Sequence, residues 1–147
     1  MKRRDVRELV FKTVFANDNE EGDPLRLLSH IITDWEMAGY IEGEPEPKLK
    51  GAGYDYAQRL IIGVAANRLQ LDGFIDDYSI DWDAERLGRV ERAILRICFF
   101  ELLYGEKLPP AIAINEALYL TKKYASAESV RFVNGVLGKK AEELKDK

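Results

Sequence analysis

The 147-residue chain is 46% apolar and 33% charged, with a net charge of −4, a composition that folds as one domain or two small subdomains without staples. Its one cysteine, Cys98, excludes an intramolecular disulfide and argues against a cysteine-based zinc site. No uncharged apolar run approaches the roughly 20 residues that span a bilayer, Asp5, Arg7 and Glu8 break up any leader after Met1-Lys2-Arg3-Arg4, and the acidic sum argues against nonspecific coating of nucleic acid. The expectation is a soluble, cytoplasmic chain with no membrane partner.

Helical period then runs along the chain. Val6, Leu9, Val10, Thr13 and Val14 place one apolar face on a helix from Arg3 to Ala16. Asn17 to Pro24 is a polar break, and Asp23 as cap with Pro24 at the first helical position opens a second helix to about Met37. Gly39 to Gly53, rich in glycine and proline, reads as a loop. A third helix from about Tyr54 to Gln70 carries Ala57, Leu60, Ile61 and Val64. A short helical segment covers Asp72 to Tyr78, and Ser79 to Asp83 turns. In the fifth helix Leu87, Val90, Ile94, Leu95, Ile97, Cys98, Leu102 and Leu103 cover more than one face, which predicts a central position. Gly105 ends it, and Pro109-Pro110 starts a sixth helix that runs to about Tyr124. A seventh runs from about Ser126 to Leu144. Strand-type alternation does not occur. The class is all-α, about seven helices in one bundle or two packed bundles.

Charge is distributed unevenly. Lys2, Arg3, Arg4 and Arg7 crowd the N-terminus, and Lys122, Lys123, Arg131, Lys139 and Lys140 gather near the C-terminus. Acids concentrate in 18–23, 42–46 and 72–85. A local basic patch on an acidic body suits one short polyanion.

Helical bookkeeping at about 100° per residue separates core residues from candidates for a site. In the last helix Val130, Val133, Leu137, Ala141 and Leu144 form one stripe, and Phe132 lies roughly 130° from its middle. Phe132 should face solvent, a second subdomain or a ligand, and Arg131 is also off the stripe. Tyr124 closes the preceding helix beside Lys122 and Lys123. Aromatics that stack on unpaired bases, with cations for phosphate, are the usual means of holding single-stranded RNA. The plainer reading, favoured on spacing alone, packs Phe132 under a neighbouring helix and leaves the lysines as a solvated face. In the first helix Arg4, Arg7, Phe11 and Phe15 share a side distinct from the Val6/Leu9/Val10 stripe. That side is either an arginine-rich RNA contact or a solvated helix start. Phe11 is expected to be buried, and the phenylalanines could otherwise offer a partner an apolar patch.

The remaining candidates read more plainly. His30, the only histidine, has no ligand set and is expected to be a satisfied structural residue. Cys98 is a small buried hydrophobe. Asp76, Asp77, Asp81, Asp83 and Glu85 lack the order of a calcium loop and read as a solvated acidic loop. Gly51 and Gly53 match no phosphate-cradling loop, no G-x-S-x-G occurs, and Asn115-Glu116 opens no catalytic pattern. No catalytic residue, metal ligand or cofactor is expected.

Taken together, several motifs form a recognisable set. Val90-Glu91-Arg92-Ala93-Ile94-Leu95-Arg96 with Glu101-Leu102-Leu103-Tyr104, and Pro109-Pro110 leading to Ala113-Ile114-Asn115-Glu116-Ala117, resemble the central helices of the NusB family. Lys122-Lys123-Tyr124 and the run Phe132-Val133-Asn134-Gly135-Val136-Leu137 resemble the family's closing motif, and Arg3-Arg4-Asp5-Val6-Arg7-Glu8 looks like its arginine-rich start. The resemblance covers about Arg3 to Phe15 and Tyr56 to Leu144. It implies a single NusB-like domain of two helical subdomains, about 1–80 and 81–147 here. It also implies an RNA-binding factor, with no enzymatic activity, in transcription antitermination of ribosomal RNA operons. Such a factor binds boxA RNA together with NusE, a ribosomal small-subunit protein, within the RNA polymerase antitermination complex. Carried over residue by residue, the RNA face is Lys2, Arg3, Arg4, Arg7, Tyr124, Glu128, Arg131 and Phe132, and the NusE face includes Phe15 and Glu91. Asp5 interrupts the basic start, and Ala127-Glu128 stands where the family often has Glu-Asp.

Three alternatives accompany this reading. Some family members dimerise, so the resemblance leaves monomer and homodimer open. NusB-like domains also precede RNA cytosine methyltransferase domains, which would need a glycine-rich cofactor loop absent before Lys147. A ribosomal RNA maturation or ribosome-assembly factor would use the same contacts.

Overall fold

The computed structural model of the protein describes residues 2–19, 22–42, 49–79, 87–105 and 108–145, without the side chains of 19, 35–42, 144 and 145. Among these residues there are seven α-helices, one short 3-10 turn (Asn17–Asn19) and no strand, as the periodicity predicts. The helices are α1 (Arg3–Ala16), α2 (Pro24–Glu42), α3 (Gly51–Ala66), α4 (Arg68–Tyr78), α5 (Arg89–Tyr104), α6 (Pro110–Tyr124) and α7 (Ala127–Lys145). Among the described residues, no helix is long and apolar enough to cross a membrane.

The chain divides into two compact units, Met1–Ala65 and Ala66–Lys147. In the first, α1 packs on α2, and Val6, Leu9, Val10, Phe11, Leu28, Ala57, Leu60 and Ile61 are buried. Asp23 caps α2 as expected, its carboxylate accepting a hydrogen bond from the Leu25 amide at 3.0 Å. Helix α2 continues past the expected end to Glu42. Gly39 lies inside it, and one glycine within a helix costs only about 1 kcal/mol. The rest of the expected loop, 43–48, lies outside the described residues. Helix α3 begins early, at Gly51, whose φ of +58° turns the chain into the helix. Gly53 then lets α3 approach closely, because a β-carbon there would lie 3.3 Å from the Leu49 side chain and 3.7 Å from that of Val6.

Periodicity predicts one helix through Gln70, across α3 and the start of α4. The structure breaks them at Asn67, whose φ of −110° and ψ of 17° leave the helical region. Asparagine favours such breaks because its side chain competes for backbone hydrogen bonds. The Leu71 amide then donates to the Asn67 carbonyl at 2.9 Å and starts α4.

In the second unit α5 is central, packing against α4, α6 and α7. Every residue from Ala93 to Glu101 is buried, the outcome expected of a helix with more than one apolar face. Because α4 packs on α5 and α7, it belongs to this unit, on the far side of the division expected near residue 80. Gly105 ends α5 with φ −72°, so no left-handed turn requires it. Its role is steric: a β-carbon would sit 2.4 Å from the Glu101 carbonyl oxygen, which accepts the Gly105 amide at 3.0 Å. Pro110 is the first residue of α6, as its fixed φ favours.

Candidate nucleic-acid interface

Helices α6 and α7 of the second unit meet at a turn of two residues, Ala125 and Ser126. The Ala125 amide donates to the Thr121 carbonyl at 2.8 Å and closes α6. Ser126 opens α7: its carbonyl accepts the Val130 amide at 3.1 Å, the first bond of the helix, and its hydroxyl accepts the Ser129 amide at 3.1 Å, which satisfies one otherwise orphaned donor. Val133, Val136 and Leu137 of α7 are fully buried. That burial turns the opposite flank outward, with Glu128 and Arg131 exposed and Phe132 half-buried. Tyr124, at the end of α6, is also half-buried, and the Lys123 ammonium lies 5.7 Å from its ring centroid. Lys122 and Lys123 are exposed. Two partly accessible aromatic rings and three exposed cations therefore flank one turn, an arrangement able to stack on bases and pair with phosphate.

The basic cluster read from the sequence near this turn is smaller in the structure. Lys139 is exposed, but Lys140 is 4% exposed. Its ammonium sits 5.6 Å from the Phe74 ring centroid and 5.5 Å from that of Tyr78, and 4.0 Å from a Glu143 carboxylate oxygen. Cation–π and ionic contacts hold it inside. The Tyr78 hydroxyl donates to Glu143. Burial, that hydrogen bond and the carboxylates of Glu143 and Asp77 push its pKa from 10.0 to about 12.

Glu91 lies in the first turn of α5 and is half-buried. Its carboxylate accepts a hydrogen bond of 2.6 Å from the Ser129 hydroxyl.

In the first unit, Lys2, Arg3 and Arg4 are exposed at the start of α1. Arg7 differs from the sequence expectation of an outward residue: it is 5% exposed, with its guanidinium 5.6 Å from the ring centroid of Tyr56 on α3. Phe11 is buried as expected, and its ring stacks on that of the half-buried Phe15 at 6.1 Å between centroids. The Tyr56 ring also carries Arg3, at 3.9 Å, and Arg59, at 5.7 Å. Neither Tyr56 nor Arg59 stood out in the sequence, because nothing local joins α3 to residues some fifty positions earlier.

An ion pair between α4 and α5 has no signal in the sequence periodicity. Arg96, 4% exposed, donates from Nε at 2.7 Å and from Nη2 at 3.1 Å to the two carboxylate oxygens of Asp72. Arg92 lies 3.4 Å from Asp72 and 3.3 Å from Asp76. Asp76 and Asp77 thus stand on helix α4 and not in an acidic loop, while Asp81, Asp83 and Glu85 lie outside the described residues. His30 is exposed on α2. Cys98 is buried, with its thiol 3.6 Å from the Ala113 carbonyl oxygen. Among the described residues no three His, Cys, Asp or Glu side chains are placed to hold a metal ion.

Comparison with known proteins gives a consistent result. The NusB family profile matches residues 4–142. A transcription antitermination protein NusB of Heliobacterium modesticaldum is 36% identical over 99% of the chain, which spans 65% of that relative's length. The protein of the same name from Clostridium kluyveri is 36% identical over 94% of each chain. Among solved structures, the crystal structure of antitermination factors NusB and NusE in complex with double-stranded RNA contains a similar fold. Its TM-score is 0.77 at 24% identity, covering 96% of both chains.

Proposed function

Because the chain belongs to the NusB family, we propose that it binds boxA RNA together with NusE and so promotes antitermination in the transcription of ribosomal RNA operons. It acts in the cytoplasm as an assembly factor and performs no chemistry. The observation that carries this reading is the α6–α7 turn, where half-buried Tyr124 and Phe132 stand among exposed Lys122, Lys123 and Arg131. Phe132 and Tyr124 stack on unpaired bases, each worth roughly 1–3 kcal/mol. Glu128 accepts hydrogen bonds from base edges, and Arg131 meets phosphate. In the first unit Lys2, Arg3 and Arg4 supply further phosphate contacts, whose worth falls with salt. Arg7 contributes through its position behind Tyr56. Phe15 and Glu91 meet NusE, and NusE extends the surface available to RNA.

Phe132→Ala tests the stacking role. Fluorescence anisotropy of a short boxA-like RNA is expected to report a 5- to 150-fold weaker complex, the equivalent of about 1–3 kcal/mol. Phe132→Tyr, which keeps the ring, is expected to bind within a few-fold of wild type. Equal affinity of Phe132→Ala and wild type would remove Phe132 from the RNA surface.

A further inference from the structure

Three guanidinium groups share one ring in the first unit. The guanidinium carbons of Arg3, Arg7 and Arg59 lie 3.9, 5.6 and 5.7 Å from the centroid of Tyr56, all inside the roughly 6 Å reach of a cation–π contact. Tyr56 is 6% exposed, on a helix whose neighbouring Ala57 and Leu60 are buried, so the ring is a fixed wall. Arg7 is 5% exposed beside it, whereas Arg3 and Arg59 are exposed.

From this cluster we infer that Arg59 is a further phosphate-contacting residue of the RNA surface and that Tyr56 is the positioning residue that aligns Arg3 and Arg59. The inference rests on the RNA-binding reading above and adds a second chain segment to it. The basic start of α1 is short and interrupted by Asp5. Helix α3 supplies a cation that the linear run lacks, on a rigid element, where holding a side chain ready loses less freedom than on a terminal arm. The guanidinium fork suits phosphate oxygens. Tyr56 is too covered to stack on a base, so it acts only through the arginines. The cluster therefore reads the RNA backbone and not its sequence.

The test is the salt dependence of RNA affinity, measured by anisotropy on a boxA-like RNA and on a scrambled RNA of equal length. Wild type, Arg59→Ala, Tyr56→Phe and Tyr56→Leu are compared, with circular dichroism confirming the fold. Arg59→Ala is expected to weaken both RNAs by the same several-fold factor at low salt. It is also expected to make the slope of log affinity against log salt shallower by about 0.7, the value for one lost phosphate contact on a single strand. Tyr56→Phe keeps the ring and the wild-type slope, whereas Tyr56→Leu loses slope, which a purely structural role would not cause. If Tyr56→Leu fails to fold, Arg59→Ala still decides. An unchanged slope and affinity in Arg59→Ala, with wild type binding RNA, overturns this inference alone. Absence of RNA binding by wild type overturns it together with the reading it rests on.

Discussion

The Ser129 hydroxyl donates a 2.6 Å hydrogen bond to the Glu91 carboxylate and ties the first turn of α7 to the first turn of α5. Glu91 belongs to the proposed NusE surface, and Ser129 lies between Glu128 and Arg131 of the proposed RNA surface. Ser129→Ala is expected to cost about 1 kcal/mol of stability. Glu91→Ala made in that background is expected to cost less than it does alone, because the two groups share one bond. Urea unfolding of the four proteins measures the coupling, and strictly additive losses would mean that the bond contributes nothing.

Arg96 and Asp72 form the most covered ion pair among those described, two-pronged and anchored in the central helix. Asp72 retains partial exposure, 24% of its side chain, so the loss on breaking the pair falls toward the low end for buried pairs. Arg96→Ala is expected to cost about 2 kcal/mol, since it removes both hydrogen bonds to Asp72 and opens space while Arg92, 3.4 Å away, still pairs with the carboxylate. Arg96→Lys recovers the charge but not the fork, and is expected to fall between. An equilibrium denaturation midpoint for Arg96→Ala equal to wild type would contradict this.

Tyr78 gives the fold an alkaline limit. Its pKa is raised to about 12 from 10.0, so the neutral hydroxyl that donates to Glu143 is favoured in the native state. The stabilisation is complete below pH 10 and is lost as pH rises from 10 to 12. Tyr78→Phe is expected to flatten the decline of stability in that window. Denaturant titrations in half-unit pH steps check it, and identical slopes for the two proteins would rule out the contribution.

Cys98 is 2% exposed inside α5, so its thiol reacts only when the second unit opens. A bulky aromatic disulfide reagent is expected to label the native protein slowly, at a rate that follows the fraction unfolded as urea is added. Rapid stoichiometric labelling without denaturant would show that α5 is accessible in the native state.

The legible parts of the fold are those that depend on neighbours in sequence. Asp23 and Pro24 announce the start of α2, Pro110 that of α6, and the many-sided apolar pattern of α5 its central place. Boundaries fail where a single residue decides between near-equal conformations, as at Gly39 and Asn67. Arg131 and Phe132 both lie off the buried stripe of α7 as the helical spacing predicts, Arg131 exposed and Phe132 half-buried. The same arithmetic sent Arg7 outward, and the tertiary contact with Tyr56 reversed it. Lys140 is the same lesson with another partner: a lysine in a basic run reads as surface until Phe74 and Tyr78 arrive from a different helix. The Arg96–Asp72 pair and the Tyr56 cluster join residues distant in sequence, so periodicity carries no signal for either.

The decisive measurement is a titration of a labelled boxA-like RNA with this protein, alone and with NusE, at two salt concentrations. Binding that tightens with NusE, weakens as salt rises and prefers the boxA-like RNA to a scrambled one is the predicted result. No binding of that RNA at either salt concentration, even with NusE present, would contradict the proposed function.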